Sequence, residues 1–395
     1  MKALIFDKSK TAWEESKGFE LVDIPKPVLN KGDEDKIILK VRFAGVCGTD
    51  KGIWHRMAFK DAILNSIDHE ATQIYELHAN DANKKTYRVI GHEFFGEVIE
   101  KGSNVKDIEI GDMVSCESHV VCNKCFQCLN GQKEVCTNEK ILGISVDGGF
   151  AEYAKVPAQV AWKTDVSKIR PEIAAMQEPF GNAVHAASKV DLKGKTVAIF
   201  GLGPIAQFLV LIAQGLGAKT IIGVEPNEKA AEMGKKMGID HMIRIKNEEL
   251  GIKNGPAHKH NQVVFNEIMQ LTQGLGVDVA FEMAGFNDSV NNAISSVRRG
   301  GDVILFGLKT GDFMLEDYNK LIMKGVTLHC VAGRQIWQTW EITKKLLENT
   351  ENKIQEKLWS VLLNEGEGTI LNIADYSKEN FEEMMTKNPK FLIKF

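Results

Sequence analysis

Four cysteines fall within fifteen residues, in the order Cys122-x2-Cys125-x2-Cys128-x7-Cys136. A thiolate quartet at that spacing suits a closed tetrahedral zinc cage, which serves structure because it leaves no position for water or substrate. A second and looser set of metal-type ligands, Cys47, His92, Glu93 and Glu178, has a different design. A catalytic zinc needs fewer, mixed protein ligands and an open position. The sequence therefore leads us to expect two zinc ions per subunit, one structural and one catalytic, with either Glu93 or Glu178 completing the catalytic set. Thr49, two residues past Cys47, is a candidate to relay a proton outward from a metal-bound group, and Asp50 to orient His92 through its second ring nitrogen. Glu178, just before Pro179, can bind zinc, alternate with water, or cap a helix.

Disulfides fit the quartet poorly. The chain opens MKALIFDKSK without an apolar signal region, and no stretch approaches the roughly 18 apolar residues of a membrane span. A cytoplasmic location is expected, and in that reducing setting short-spaced cysteines bind metal more often than they pair. Lys124 and Lys133 set positive charge beside the thiolates. Cys116 and Cys330 read as small apolar residues instead.

A nucleotide site is also written locally. Thr196 to Phe200 is a short apolar run, followed at once by Gly201-Leu202-Gly203-Pro204-Ile205-Ala206 and a helical pattern with Ile205, Phe208, Leu209 and Ile212 on one face. In that context Gly201 allows the tight turn, Gly203 lets the backbone approach a pyrophosphate, and Ala206 replaces the third glycine. Pro204 suits the first helical turn, whose free N–H groups face phosphates. The second strand, Thr220 to Val224, ends at Glu225, 24 residues after Gly201. A carboxylate there accepts from both ribose hydroxyls and repels a 2′-phosphate, which favours NAD over NADP; Lys229 tempers the preference.

The elements that must position these groups follow from the rest of the chain. At 395 residues the chain exceeds one comfortable core, so two domains are expected. With 44% hydrophobic and 26% charged residues and a net charge of −4, nothing argues for a nucleic-acid or membrane partner. The first 160 or so residues alternate short strand patterns with turns, as in Ile37 to Val41 and Phe150 to Ala154, a β-rich, barrel-like texture. From about residue 195, apolar strands alternate with helical patterns, the rhythm of a parallel α/β domain. Val279 to Glu282 and Val303 to Phe306 continue it. A β-rich tail from about residue 326 is expected to return to the first domain. The polar stretch from Asp61 to Tyr87 reads as a surface loop or lid, with short helical or strand pieces open at Ala62-Ile63-Leu64 and Ile74-Tyr75-Glu76-Leu77. The expected boundaries are 1–175 with 326–395, including a metal lobe at about 116–140, and 176–325. A thiolate, an imidazole and carboxylates alongside an NAD site are what dehydrogenation of a small-molecule alcohol needs: a metal polarises the hydroxyl while the cofactor takes the hydride.

These residues resemble the zinc-dependent medium-chain dehydrogenase/reductase superfamily along nearly the whole chain. Gly148-Gly149-Phe150-Ala151-Glu152-Tyr153, Glu178 to His185, Phe281 to Gly285 and Gly333 to Trp340 look like its L-threonine 3-dehydrogenase branch. The resemblance implies a GroES-like catalytic domain, a Rossmann NAD domain, zinc held by Cys47, His92 and a glutamate, and a homotetramer. It further implies that Glu117-Ser118-His119 reaches the substrate side of the pocket, with His119 a catalytic candidate. Gly52 stands where threonine dehydrogenases place a relay histidine, and His55 is the nearest replacement. Sugar and polyol relatives also lack that histidine, so a polyol or sugar is the alternative substrate. Arg334 can meet a substrate carboxylate or hold Glu178.

Overall fold

The computed structural model describes residues 1–77, 85–245, 259–308 and 311–395. The chain divides into two compact units, Met1–Glu178 with Leu358–Phe395, and Pro179–Lys357.

In the first unit, strand Lys36–Val46 is the spine. Its run of branched and aromatic side chains fits a pleated surface covered on both faces. It pairs antiparallel with Glu93–Lys101 from Ile37↔Lys101 to Gly45↔Glu93. Tyr153–Pro157 adds to its first half, and Phe391–Lys394 to its second, with Phe391 opposite Val46. Met113–Cys116, Ala161–Lys163 and Ile370–Asn372 complete a seven-stranded sheet. A smaller sheet joins Glu20–Asp23, Lys2–Asp7 and Tyr87–Val89. Leu4, Phe6, Ile37, Leu39, Phe94 and Phe150 fill the space between. Trp54 stacks on Phe381 with ring centroids 4.7 Å apart, and Phe19 meets both edge-on.

The expected loop between Asp61 and Tyr87 is corrected here. Lys60–Leu77 is an 18-residue α-helix, and residues 78–84 lie outside the described residues. Ile63 and Ile67, one turn apart, are both fully buried in the core, so this segment docks as a packed element. Arg88, also fully buried, fixes it from below through Ser66 Oγ at 3.0 Å and Glu70 at 2.8 Å while holding Asp147 at 3.1 Å.

The second unit is built on six parallel strands: β1 (Thr196–Phe200), β2 (Thr220–Val224), β3 (His241–Ile243), β4 (Val277–Glu282), β5 (Val297–Leu305) and β6 (Thr327–Cys330). Their order is 3-2-1-4-5-6, the doubly wound dinucleotide-binding topology. Helix α1 (Pro204–Gly215) follows β1, and α2 (Glu228–Met237) follows β2. The expected return of the whole tail from residue 326 is also corrected. β6 lies parallel to β5, with Asp302↔Thr327 through Leu305↔Cys330, so it extends this sheet. Helix Gln338–Glu348 stays with this unit, and only residues from Leu358 onward join the first unit.

Candidate active site

The spine strand ends at Val46, and Cys47 caps the short helix Gly48–Trp54 that follows. Asp50, buried at the third position of that helix, accepts the Cys47 backbone N–H through Oδ2 at 2.9 Å. Because Gly45 lies opposite Glu93, the neighbouring strand brings His92 and Glu93 to the same end of the sheet as Cys47. Gly91 has φ +92° and would drive a Cβ into the Phe150 ring, so glycine is needed at the turn that aims His92.

Cys47 Sγ lies 3.2 Å from His92 Nε2, and one ligand atom from each of Cys47, His92 and Glu93 falls within 4.8 Å of the others. On the far side of the imidazole, His92 Nδ1 faces Asp50 Oδ1 at 3.8 Å, and both atoms are buried without a hydrogen-bond partner. A histidine that offers one nitrogen to a metal usually donates from the other to a carboxylate, and Asp50 stands there. Burial, then the charges of Asp50 and Glu93, push the Cys47 thiol well above its usual range. A thiolate in this place therefore needs a cation, and the donor set fits zinc, whose ligand atoms sit about 3.5 Å apart when bond lengths are ~2.0–2.3 Å.

Of the two candidate carboxylates, Glu93 is the one grouped with Cys47 and His92. Its Oε2 is bonded to the ammonium of Lys390, a residue the sequence reasoning did not select. Glu178 lies outside that three-residue group, buried in the first turn of helix Gln177–Ala187, where Oε1 accepts from Ser118 Oγ at 2.6 Å. Ser118 was named from the resemblance as part of Glu117-Ser118-His119, but its bond to Glu178 is found only from the structure. Thr49 is half-buried in the helix after Cys47. The ring of His119 meets Glu139 at 2.6 Å, and its backbone N–H donates to Glu117 Oε1 at 2.9 Å.

The four cysteines of the lobe do converge. They are free thiols whose sulfurs lie within 4.8 Å of one another, with Cys125 to Cys136 at 3.8 Å and Cys136 to Cys122 at 3.5 Å. Those separations match the ~3.8 Å edge of a tetrahedron built on Zn–S bonds of ~2.3 Å. Backbone N–H groups prepare the thiolates. Cys125 caps the turn Phe126–Leu129, and the Cys128 N–H foremost lowers its pKa to about 5. Cys128, by contrast, is pushed up to about 12, first by burial.

In the second unit the glycine turn has the expected form. Gly201 has φ +87°, and a Cβ there would sit 2.7 Å from Ala284 Cβ. Gly203 caps α1, Pro204 and Ile205 open it, and nothing lies within 4 Å of where a Gly203 Cβ would be. That open approach to a helix N-terminus fits a pyrophosphate. Glu225 closes β2 and accepts from Leu202 N at 2.6 Å and Asn227 N at 2.8 Å. A cavity of about 320 Å³ is lined by Gly201, Gly203, Glu225, Met283 and Ser289 among others. Lys229 is exposed on α2 and does not line it.

Comparison with known proteins bears on the family and the fold. Residues 33–166 match the alcohol dehydrogenase GroES-like domain, and residues 204–349 match the zinc-binding dehydrogenase domain. An L-threonine 3-dehydrogenase of Pyrococcus abyssi is 35% identical over 350 residues, 88% of each chain. The chain belongs to the zinc-binding alcohol dehydrogenase family. L-threonine 3-dehydrogenase of Bacillus subtilis is 32% identical over 84% of this chain and 85% of its own. Among solved structures, an alcohol dehydrogenase from Thermus sp. ATN1 superposes with TM-score 0.75 at 21% identity, covering 100% and 99% of the two chains. The 2R,3R-butanediol dehydrogenase of Bacillus subtilis does so with TM-score 0.74 at 22% identity over the same shares. These two neighbours bear on the fold alone, and they agree with the GroES-like and Rossmann architecture. As a member of this family the chain is an NAD-dependent alcohol dehydrogenase, an oxidoreductase acting on a carbinol carbon. Among the described residues, no helix is long and apolar enough to cross a membrane.

Proposed function

We propose that the chain oxidises the secondary hydroxyl of L-threonine with NAD, and that zinc held by Cys47, His92 and Glu93 assists. Two observations support this reading. Cys47, His92 and Glu93 converge within 4.8 Å, and relatives named L-threonine 3-dehydrogenase align over most of the chain. Zinc, when bound, acts as a Lewis acid that lowers the pKa of the alcohol. Asp50 stands where it can orient the His92 ring, Thr49 carries the hydroxyl proton toward solvent, and Ser118 steadies Glu178 through the bond to Oε1. His119, fixed by Glu139, faces the substrate side. Cys122, Cys125, Cys128 and Cys136 hold a second, structural zinc, giving two per subunit. NAD lies against Gly201, Gly203, Pro204 and Ile205, with its ribose on Glu225 and Lys229 outside the pocket.

Arg334 is the candidate partner for the amino acid's carboxylate. It is 2% exposed and donates to Asn182 Oδ1 at 2.9 Å, its stem passing beside Gly181. A buried guanidinium with its fork oriented by an amide suits a planar anion. The enzyme works as a homotetramer in the cytoplasm.

A polyol or sugar substrate is the second reading, favoured by Gly52 where a relay histidine is expected. Steady-state rates of NADH formation separate the two. L-threonine is expected to give the highest kcat/KM against sorbitol, 2,3-butanediol and glucose. Turnover of a polyol with none of threonine overturns the first reading.

A further inference from the structure

Lys390 is the one buried lysine among the described residues, and its ammonium is bonded to Glu93 Oε2 with both side chains 1% exposed. Desolvating two charges is costly, so such a pair adds little stability beyond what packed apolar residues would give. Its place in the sheet points to another role.

Three strand ends meet there. Lys390 immediately precedes Phe391, which lies opposite Val46, while Gly45 lies opposite Glu93. The spine is thus flanked at one end by Lys390 on one side and Glu93 on the other, and the two side chains join across Gly45. A Cβ on Gly45 would stand 3.1 Å from Lys390 Nζ and collide with the Glu93 carboxylate. The missing side chain is the space the ion pair occupies.

A carboxylate with two free oxygens can chelate a divalent ion through both. Glu93 brings a carboxylate oxygen beside Cys47 and His92, and because the ammonium of Lys390 engages Oε2, Oε1 is the oxygen that ammonium leaves unengaged. We infer that Lys390 and Gly45 are positioning residues, which hold Glu93 as a single-oxygen ligand and so keep a coordination position open for the alcohol. Catalytic zinc requires that vacancy, and partners outside the ligand set govern both affinity and activity. The inference rests on the metal reading proposed above.

Cobalt(II) in place of zinc tests it, because its visible bands weaken as coordination number rises and its thiolate band reports Cys47. The spectrum of the parent protein minus that of Cys47→Ser isolates this site from the four-cysteine lobe. Lys390→Met is expected to weaken the visible bands and to change zinc affinity, by chelator competition, about 10–100-fold. In a Glu93→Gln background the same substitution should leave zinc affinity unchanged, because Lys390 acts through Glu93. An unaltered spectrum and affinity in Lys390→Met overturns the inference, as does an equal shift in both backgrounds. Should Lys390→Met fail to fold, Gly45→Ala displaces the carboxylate without removing a charge; weakened bands are expected, and an unchanged spectrum overturns the inference. If the parent protein shows no thiolate band that Cys47→Ser loses, the metal reading fails and this inference with it. A thiolate band combined with silent Lys390→Met and Gly45→Ala variants removes only the inference.

Discussion

Burial, then the charges of Asp50 and Glu93, push the Cys47 thiol well above its usual range, so a metal cation beside it favours the thiolate. Cys47→Ser should therefore lower kcat/KM by more than the roughly 10–100-fold that follows loss of an outer metal partner. NAD binding should stay within a few-fold by fluorescence titration, because the cavity that includes Gly201, Gly203 and Glu225 is lined wholly by other residues. Loss of NAD binding in that variant would contradict the separation. Glu225→Ala should raise the NAD dissociation constant about 10-fold or more, the equivalent of one or two charged hydrogen bonds at ~1.5–3 kcal/mol each, and affect NADP less. An unchanged ratio of NAD to NADP affinity would misplace the ribose contact. Glu225 was legible because its signal is local: a strand, a glycine turn and a second strand fix its place within 24 residues. Lys390 was not, since it meets Glu93 across 297 residues and nothing in its own neighbourhood marks it. The bond of Ser118 to Glu178 and the opening at Gly45 were hidden for the same reason. Cys47, His92 and Glu93 were legible as residue types, whereas the selection of Glu93 over Glu178 as the grouped carboxylate needed the register of Gly45 with Glu93.

The cysteine lobe and the inserted helix are the elements whose stability can be tested apart from turnover. Between strands His119–Val120 and Lys140–Ile141 the lobe has one short helix, Phe126–Leu129, and a 3-10 turn, Lys133–Val135, so a metal is its natural core. Cys125→Ser, or chelation of the parent, should lower the melting temperature by several degrees, as a loss of ~1–2 kcal/mol does in domains of this size. A melting curve indifferent to both would remove the structural metal. Arg88→Met should cost about 2 kcal/mol in urea unfolding. That is below the ~3–5 kcal/mol of a wholly buried pair, because Glu70 and Asp147 keep 26% and 39% of their side chains exposed. Burial raises the Asp147 carboxyl, but Lys85 and Arg88 outweigh it and leave the group below its ordinary range. A depressed folded pKa stabilises above the unfolded value of ~4 and is lost as pH falls through the folded one. The stability gap between parent and Asp147→Asn should therefore be full at pH 7 and close in acid; a gap that widens in acid would contradict the pairing. The full length of the helix escaped the sequence because its fully buried residues among those described, Ile63 and Ile67, give a faint periodicity in a polar stretch, and the partner that fixes it, Arg88, lies beyond it in the chain.

At the scale of the molecule, the pairing of a β-rich unit with a parallel sheet was readable from the change of rhythm near residue 195, because period-2 runs and strand–helix alternation are properties of the sequence itself. The tail was not. Thr327–Cys330 reads equally well as a strand of either sheet, and only its register with Asp302 to Leu305 assigns it to the second. Strand Phe391–Lys394 lies in the other sheet between the spine and Ile370–Asn372 and brings Lys390 to Glu93, so a segment far along the chain joins the site begun by Cys47. Zinc content and turnover measured on the same samples test the whole account most directly. Two zinc ions per chain are expected in the parent with NADH formed from L-threonine, and one zinc with no NADH in Cys47→Ser. Equal zinc content in the two proteins, or undiminished alcohol oxidation by Cys47→Ser, would contradict it.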